Sequence, residues 1–325
     1  MKNLVRYAAF VATLFVCASA VAASAPTDYP NKPIRFIVPF PAGGATDIMA
    51  RLVMSKLTDT LGWQIVFDNK PGAGGTIGAD LTAKSPADGY TLFIGQTSNL
   101  PVAPSLYTKL AYDPVKDFAP ITLISSVPIA ITVAAKSPIK TVAELFAAAK
   151  AKPDQLTFGS AGNGTVGHLA VVMLERTSGV KFIHIPYKGA AIGLPDMIGG
   201  RVTFFVGTIE TFLTQIKANN IRGLAVMSLE RSPSLPDVPT VAESGYKGFE
   251  AASWFGMLAP AKTPPPIINR VSSEITKILA MPDIRGRLVD GGGNIKTGPQ
   301  EFAKVIKNDV EKWSRVVKES GAKVD

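Results

Sequence analysis

Residues 158–170 read FGSAGNGTVGHLA, and three different chemistries fit this one stretch. Gly162-x-Gly164-x-x-Gly167 has the spacing of a dinucleotide-binding loop, in which glycines let the backbone approach a pyrophosphate. Ser160 stands among glycines eight residues before His168, so a hydroxyl nucleophile and a base are both at hand. The third reading needs no side chain. A glycine turn that opens a helix presents unpaired N–H groups and partial positive charge, which together hold an anion.

The first two readings each lack a part. A dinucleotide fold wants an acid about 20 positions on, at the end of the next strand, for the ribose hydroxyls. Here that strand, KFIHIPY, runs into Tyr187-Lys188-Gly189, and only Lys188, facing a 2′-phosphate, keeps an NADP enzyme as the alternative. A nucleophile elbow needs Gly-x-Ser-x-Gly, but Gly159 directly adjoins Ser160 and Phe158 takes the outer glycine's place. The chain has two histidines, His168 and His184, and one cysteine, Cys17, so a His/Cys metal cluster is not available.

The third reading recurs. PFPAGGATD (39–47) follows an apolar run and opens a helix near Thr46; NKPGAGGTIGAD (69–80) follows another. In open α/β sheets such loops lie at the carboxyl ends of the strands, where ligands bind.

The elements that would carry these loops are legible as alternation. Short β-type runs, among them IRFIVPF (34–40), TLFIG (91–95), KFIHIPY (181–187), VTFFVG (202–207) and WFGMLAP (254–260), alternate with helical patterns. Ile48, Met49, Leu52, Val53, Leu57 and Leu61 form one apolar stripe, and Thr141-x-x-Glu144 is a capping box. Strand–helix alternation predicts an α/β fold with mostly parallel sheets. It pauses at 101–128 and again at 229–250, both rich in proline. Two crossings predict two lobes with a cleft between them, 26–126 with 251–325 as lobe 1 and 127–250 as lobe 2; a single continuous sheet is the alternative.

Hydrophobic residues make up 46% of the 325 and charged residues 18%, enough for a large core and against global disorder. The net charge of +9 comes from scattered Lys and Arg with no run of five, so nucleic acid is not an expected partner. The first 25 residues read as a secretory signal: Lys2 and Arg6, an apolar stretch over 8–16, then Ala18-x-Ala20 and Ala23-x-Ala25 as cleavage sites near 20–25. Val16 before Cys17 does not suit a lipid anchor, and the expected product is soluble and periplasmic, without cysteine.

YPNKPIRFIVPFPAGGATDIMARL, SPADGYTL, LAYDPVKDFAPITLI, FGSAGNGTVGHLA, IPYKGAAIGLPDMIGGRV and LPDVPTVAESGYKGFEAASWFGMLAPAKTPPP, in this order, resemble the Bug family. These are the extracytoplasmic solute receptors of tripartite tricarboxylate transporters. The resemblance implies a two-lobed type II periplasmic-binding-protein fold that closes on a small carboxylate or related solute. It also implies membrane transport subunits as partners, no enzymatic activity, no cofactor and no metal; a monomer is expected. Carried over, it makes Phe40, Ala42, Gly43 and Gly44 one jaw, with Asp47 bracing the loop from behind. Ser160, Gly162, Asn163, Gly164, Thr165 and His168 form the other. Tyr187, Lys188, Gly189 and Thr208 line the same lobe, and Gln96, Thr97 and Ser98 are specificity candidates. The departure from the family pattern is Ile192-Gly193-Leu194-Pro195, which bears on where the local helix starts.

Overall fold

The computed structural model describes residues 28–290, 298–320 and 322; the expected leader at 1–25 lies outside them. The first half repeats one unit. β1 (Ile34–Val38) leads to α1 (Ala45–Leu61), β2 (Ile65–Asn69) to α2 (Thr76–Ala83), and β3 (Thr91–Gln96) to short helical turns over 98–106. The α1 stripe of Met49, Leu52, Val53 and Leu57 is buried, and the helix stops at Gly62, whose φ of 68° glycine adopts without a Cβ penalty.

The chain then enters β4 (Phe118–Ala134), a 17-residue strand. Part of it lies in the stretch where the sequence showed a pause. Burial explains the discrepancy: nearly every β4 residue is covered, so the two-residue alternation that marks a half-exposed strand is missing. Pro120 stands at a register shift, where a lost N–H costs no ladder bond.

The second half repeats the unit. α3 (Val142–Ala151) precedes β5 (Thr157–Ser160), α4 (Val166–Ser178), β6 (Ile183–Pro186), α5 (Ala190–Ile198), β7 (Phe204–Thr208), α6 (Ile209–Lys217) and β8 (Ile221–Val226). The capping box of α3 forms in a shifted way. Thr141 Oγ1 accepts from Glu144 N at 3.1 Å, whereas the Glu144 carboxylate accepts from Lys140 N. α5 begins at Ala190 and carries Pro195 inside it; Gly193 lets the rings of Phe205 and Tyr187 pack directly on the helix. β9 (Ala252–Pro260), α7 (Pro265–Ala280), α8 (Pro282–Asp290) and α9 (Pro299–Ser320) complete the chain.

The strands run in the order β2-β1-β3-β9-β4-β7-β5-β6, with β8 also on β4. β1, β2 and β3 are parallel, as are β5, β6 and β7, while β4 and β9 are antiparallel to their neighbours. β4 joins the two groups. Its residues up to Pro128 pair with β9, and those from Ile129 pair with β7 and β8. Ile129, Met227 and Ala251 are tied by three backbone bonds at this passage, Met227 N to Ile129 O being 2.7 Å. The α/β fold is the one expected from the alternation, but the strands form one mixed nine-stranded sheet, with antiparallel β4 and β9 between the two parallel groups.

α9 crosses between the groups. Phe302 and Ile306 lie in a core with Phe93, Trp254 and Leu258, whereas Trp313 and Val317 lie in a core with Phe158, Leu169 and Phe204. Gly256 on β9 is the seat of Phe302, since a Cβ there would stand within the ring. Phe302→Ala is expected to cost about 3–5 kcal/mol, the usual range for a buried aromatic. Urea unfolding checks this; a loss below about 1 kcal/mol would mean that α9 is not integral to the fold.

Candidate ligand cleft

The two groups of parallel strands run in opposite directions, so that their carboxyl ends face each other, and there the next helices begin. Four such beginnings meet at one cavity: Gly44 to Thr46 of α1, Thr165 to Gly167 of α4, Gly189 to Ala191 of α5, and Thr208 and Thr211 of α6. The cavity measures about 50 Å3. Three of the helices, those starting after Gly44, Gly189 and Thr208, have no side chain capping their first turn. The fourth is capped by its own Thr165, and its Val166 N–H is bonded to Ser98 Oγ at 3.1 Å, from the other strand group. Among the described residues, no charged side chain lines this space. The positive potential comes from aligned peptide dipoles, about half a charge per helix end.

The two sides touch. A Cβ on Gly189 would come within 2.6 Å of the Pro41 ring, and Gly189 has a φ of 140°, so glycine alone permits this approach. Beyond Phe40 and Ala161 lies a second compartment of about 190 Å3. Gly72 to Gly74, Gly162, Asn163, Tyr187 and Lys188 line it, and Lys188 is its single charged lining residue.

The loops are held rigid from behind. Asp47 accepts from Gly43 N at 3.0 Å, Arg51 Nε at 2.9 Å and Asn69 Nδ2 at 3.1 Å. Burial pushes its carboxyl up, but these three partners outweigh it and hold it below the usual carboxylate range. On the other side Ser160, fully buried, bridges its own loop. Its Oγ donates to Gly162 O and accepts from Gly162 N, both at 3.1 Å, and lies 2.7 Å from His184 Nε2. The Ser160–His184 contact is a hydrogen bond whose direction follows the His184 tautomer. His168 Nδ1 accepts from Gly164 N at 3.1 Å. The two imidazoles stack with centroids 4.1 Å apart, and Phe158 stacks on His184 at 4.6 Å. Burial lowers His168 to about 4; burial and the adjacent His168 lower His184 to about 3. Both rings are neutral at physiological pH.

Of the residues expected at the ligand, Phe40, Gly44, Gln96, Ser98, Thr165, Gly189 and Thr208 line the cavity. Gly162, Asn163, Tyr187 and Lys188 line the second compartment. Ala42, Gly43, Thr97, Ser160, Gly164 and His168 line neither. Thr97 Oγ1 instead accepts from Trp254 N at 3.0 Å, tying β3 to β9. A Cβ on Gly164 would meet Leu106 at 2.7 Å, so this glycine serves packing. Sequence reasoning missed Pro41, Thr46, Thr211 and Ser253 among the lining residues. The helix starts at Ala190, directly after Gly189, whereas nothing local marks Ser253, which the passage from 251 into β9 brings to the cleft.

Residues 49–322 match the family described as the tripartite tricarboxylate transporter family receptor, TctC. The chain belongs to this family. BugT of Bordetella pertussis is 35% identical over 325 residues, covering 99% of both chains. A Pseudomonas sp. protein of the tcbD-tcbE intergenic region is 39% identical over 90% of this chain and 87% of its own. Among solved structures, the periplasmic binding protein BugD has 36% identity and a TM-score of 0.86, over 91% of this chain and all of BugD. MatC of Rhodopseudomonas palustris, with bound malate, has 31% identity and a TM-score of 0.84 over 89% of this chain and all of MatC. An R. palustris protein with adipate has 34% identity and a TM-score of 0.88 over 91% of this chain and all of its own. The fold is therefore that of a periplasmic solute receptor, and the family is one of binding proteins.

The buried histidines set one pH dependence. Their folded pKa values lie below the unfolded value, so the unfolded chain binds more protons in acid. Their contribution to stability is complete above about pH 6.5 and is lost as pH falls towards and through about 4. The melting temperature should drop over this window, and His184→Phe should flatten that limb; an equally steep limb in the variant would remove the histidine pair as its cause. Glu210, buried in the first turn of α6, gives the opposite sign. Burial pushes its carboxyl up to about 8, so its contribution is complete below about pH 4.5 and lost as pH rises through 8. Glu210→Gln should hold its melting temperature from pH 7 to 9 better than the parent chain, and a steeper decline would refute this account.

Proposed function

We propose that this chain is an exported, monomeric solute receptor that closes around a small carboxylate in the periplasm and delivers it to the membrane subunits of a tripartite tricarboxylate transporter. The observation that carries this reading is the meeting of four helix N-termini at one cavity without a cationic side chain. Backbone N–H groups recognise a carboxylate by geometry and partial charge. They bind it without the full charge pairing that would slow release. The malate and adipate held by two relatives are the same class of ligand. The membership in a receptor family and the leader-like start support delivery and export.

The lobes of this reading are the two strand groups, and the hinge is the passage at 128–129 and 251–252. Closure brings Pro41 against Gly189 and Ser98 against Val166. A ligand gripped from both groups shifts the open–closed balance by its differential affinity for the closed form. The Ser160–His184 contact gives no hydrolytic chemistry in this reading. The hydroxyl is buried, it lines neither compartment, and no described carboxylate bonds to His184.

Gly44 offers a test in which stability and binding part company. It is the N-cap of α1 with φ −80° and ψ 166°, a conformation any residue adopts, and a Cβ there has only Pro41 O at 3.4 Å. Aspartate is a preferred N-cap. Gly44→Asp should therefore melt at or above the parent temperature while placing its own carboxylate on the N–H groups that hold the ligand. Calorimetry with malate, succinate and adipate should find micromolar binding to the parent chain, roughly −8 kcal/mol, and at least 100-fold weaker binding to the variant. A folded Gly44→Asp chain that binds an acid as the parent does would dismiss α1 as part of the site.

A further inference from the structure

We propose that Ser253 is a ligand-contacting residue, and that its hydroxyl selects acids carrying a second polar group over plain alkanoates. The inference rests on the carboxylate reading above and adds to it a residue and a narrower substrate class.

The other hydroxyl groups around the cavity each have a hydrogen-bond partner within the protein. Thr46 Oγ1 donates to Gln96 Oε1 at 3.3 Å. Ser98 Oγ accepts from Val166 N, and Thr165 Oγ1 donates to Gly162 O at 2.8 Å. Thr208 and Thr211 bond to each other at 3.4 Å. Ser253 is the exception. Its side chain is 2% exposed, it lines the cavity, and its Oγ has no hydrogen-bond partner.

Its direction is fixed by the strand. β9 alternates its side chains, and the next residue, Trp254, faces away into the core with Phe302, its Nε1 donating to Asp309 Oδ2 at 2.7 Å. Ser253 therefore faces the opposite side, where the cavity lies. Its backbone is held by pairing with Val127 and by the neighbouring bond from Trp254 N to Thr97 Oγ1. A buried hydroxyl without a partner is costly to keep.

The two ends of the ligand then meet different chemistry. One carboxylate takes the N–H groups of the helix starts. The other end, reaching the β9 side, meets a fixed hydroxyl that can both donate and accept. A hydroxy acid or a dicarboxylate satisfies it, whereas an alkyl terminus leaves it unpaired. Rejection of an analogue that lacks a hydrogen-bonding group is the stronger form of discrimination that a polar site can exert.

The test is calorimetry on the full mature chain and on Ser253→Ala, with malate, succinate and adipate set against the length-matched butyrate and hexanoate. The parent chain should prefer at least one polar-ended acid to its monoacid counterpart by 10-fold or more. Ser253→Ala should lose most of that preference, through weaker binding of the polar-ended acid, with monoacid binding unchanged or tighter. A ligand-free melting temperature equal to or above the parent's is expected for Ser253→Ala, since an unpaired buried hydroxyl is removed; a marked fall would assign Ser253 to structure instead. A variant that keeps the parent's preference overturns the inference and leaves the carboxylate reading standing, as does a parent chain that binds monoacids equally well. A parent chain that binds none of the five acids overturns both.

Discussion

An α-helix begins with N–H groups that have no carbonyl to bond, and a protein must leave them in water, cap them or give them a ligand. Most of what is unusual here follows from bringing four such beginnings to one small space. Parallel strands do the bringing: β1 from one group, and β5, β6 and β7 from the other, each end at the cavity, where the next helix starts. The two strand groups share β4, so their edges are placed opposite each other and not side by side. The dipoles of α1, α4, α5 and α6 then converge. In a low-dielectric cleft such convergence is unfavourable by itself, and it is relieved by an anion.

Such a site works only if the loops do not move to satisfy their own amides. Asp47 prevents this on one side by taking Gly43 N–H while held by Arg51 and Asn69. On the other side Ser160 and His168 take Gly162 N–H and Gly164 N–H, which pins the turn without a charge. A cationic histidine there would add attraction for an anion but would surrender Nδ1 as an acceptor and release Gly164. Burial against Phe158 keeps the rings neutral, so rigidity prevails over charge.

Much of this was legible in the sequence because it is local. Glycines at 43–44, 162–164 and 189 sit directly before helical patterns, and strand–helix alternation is a pattern within short windows. Three features were not legible because they are not local. β4 hides its period by being covered on both faces. Ser160, Gly164 and His168 belong to the right motif, but their polar atoms are turned inward to bind the loop, a choice that depends on His184, 24 residues from Ser160. Ser253 reaches the cleft only because the chain returns from the second group to the first, and no spacing rule connects it to Gly44 or Thr208.

The last helix limits how the proposed closure can take place. α9 has Phe302 and Ile306 in one core and Trp313 and Val317 in the other. Val102 and Leu106, from the turns after β3, join the second core as well. A rigid separation about 128–129 and 251–252 would pull these apolar side chains out of contact, at about 25 cal/mol for each Å2 of apolar surface exposed. The proposed closure therefore pivots with its axis near α9, so that the contacts of that helix slide while Pro41 and Gly189 part.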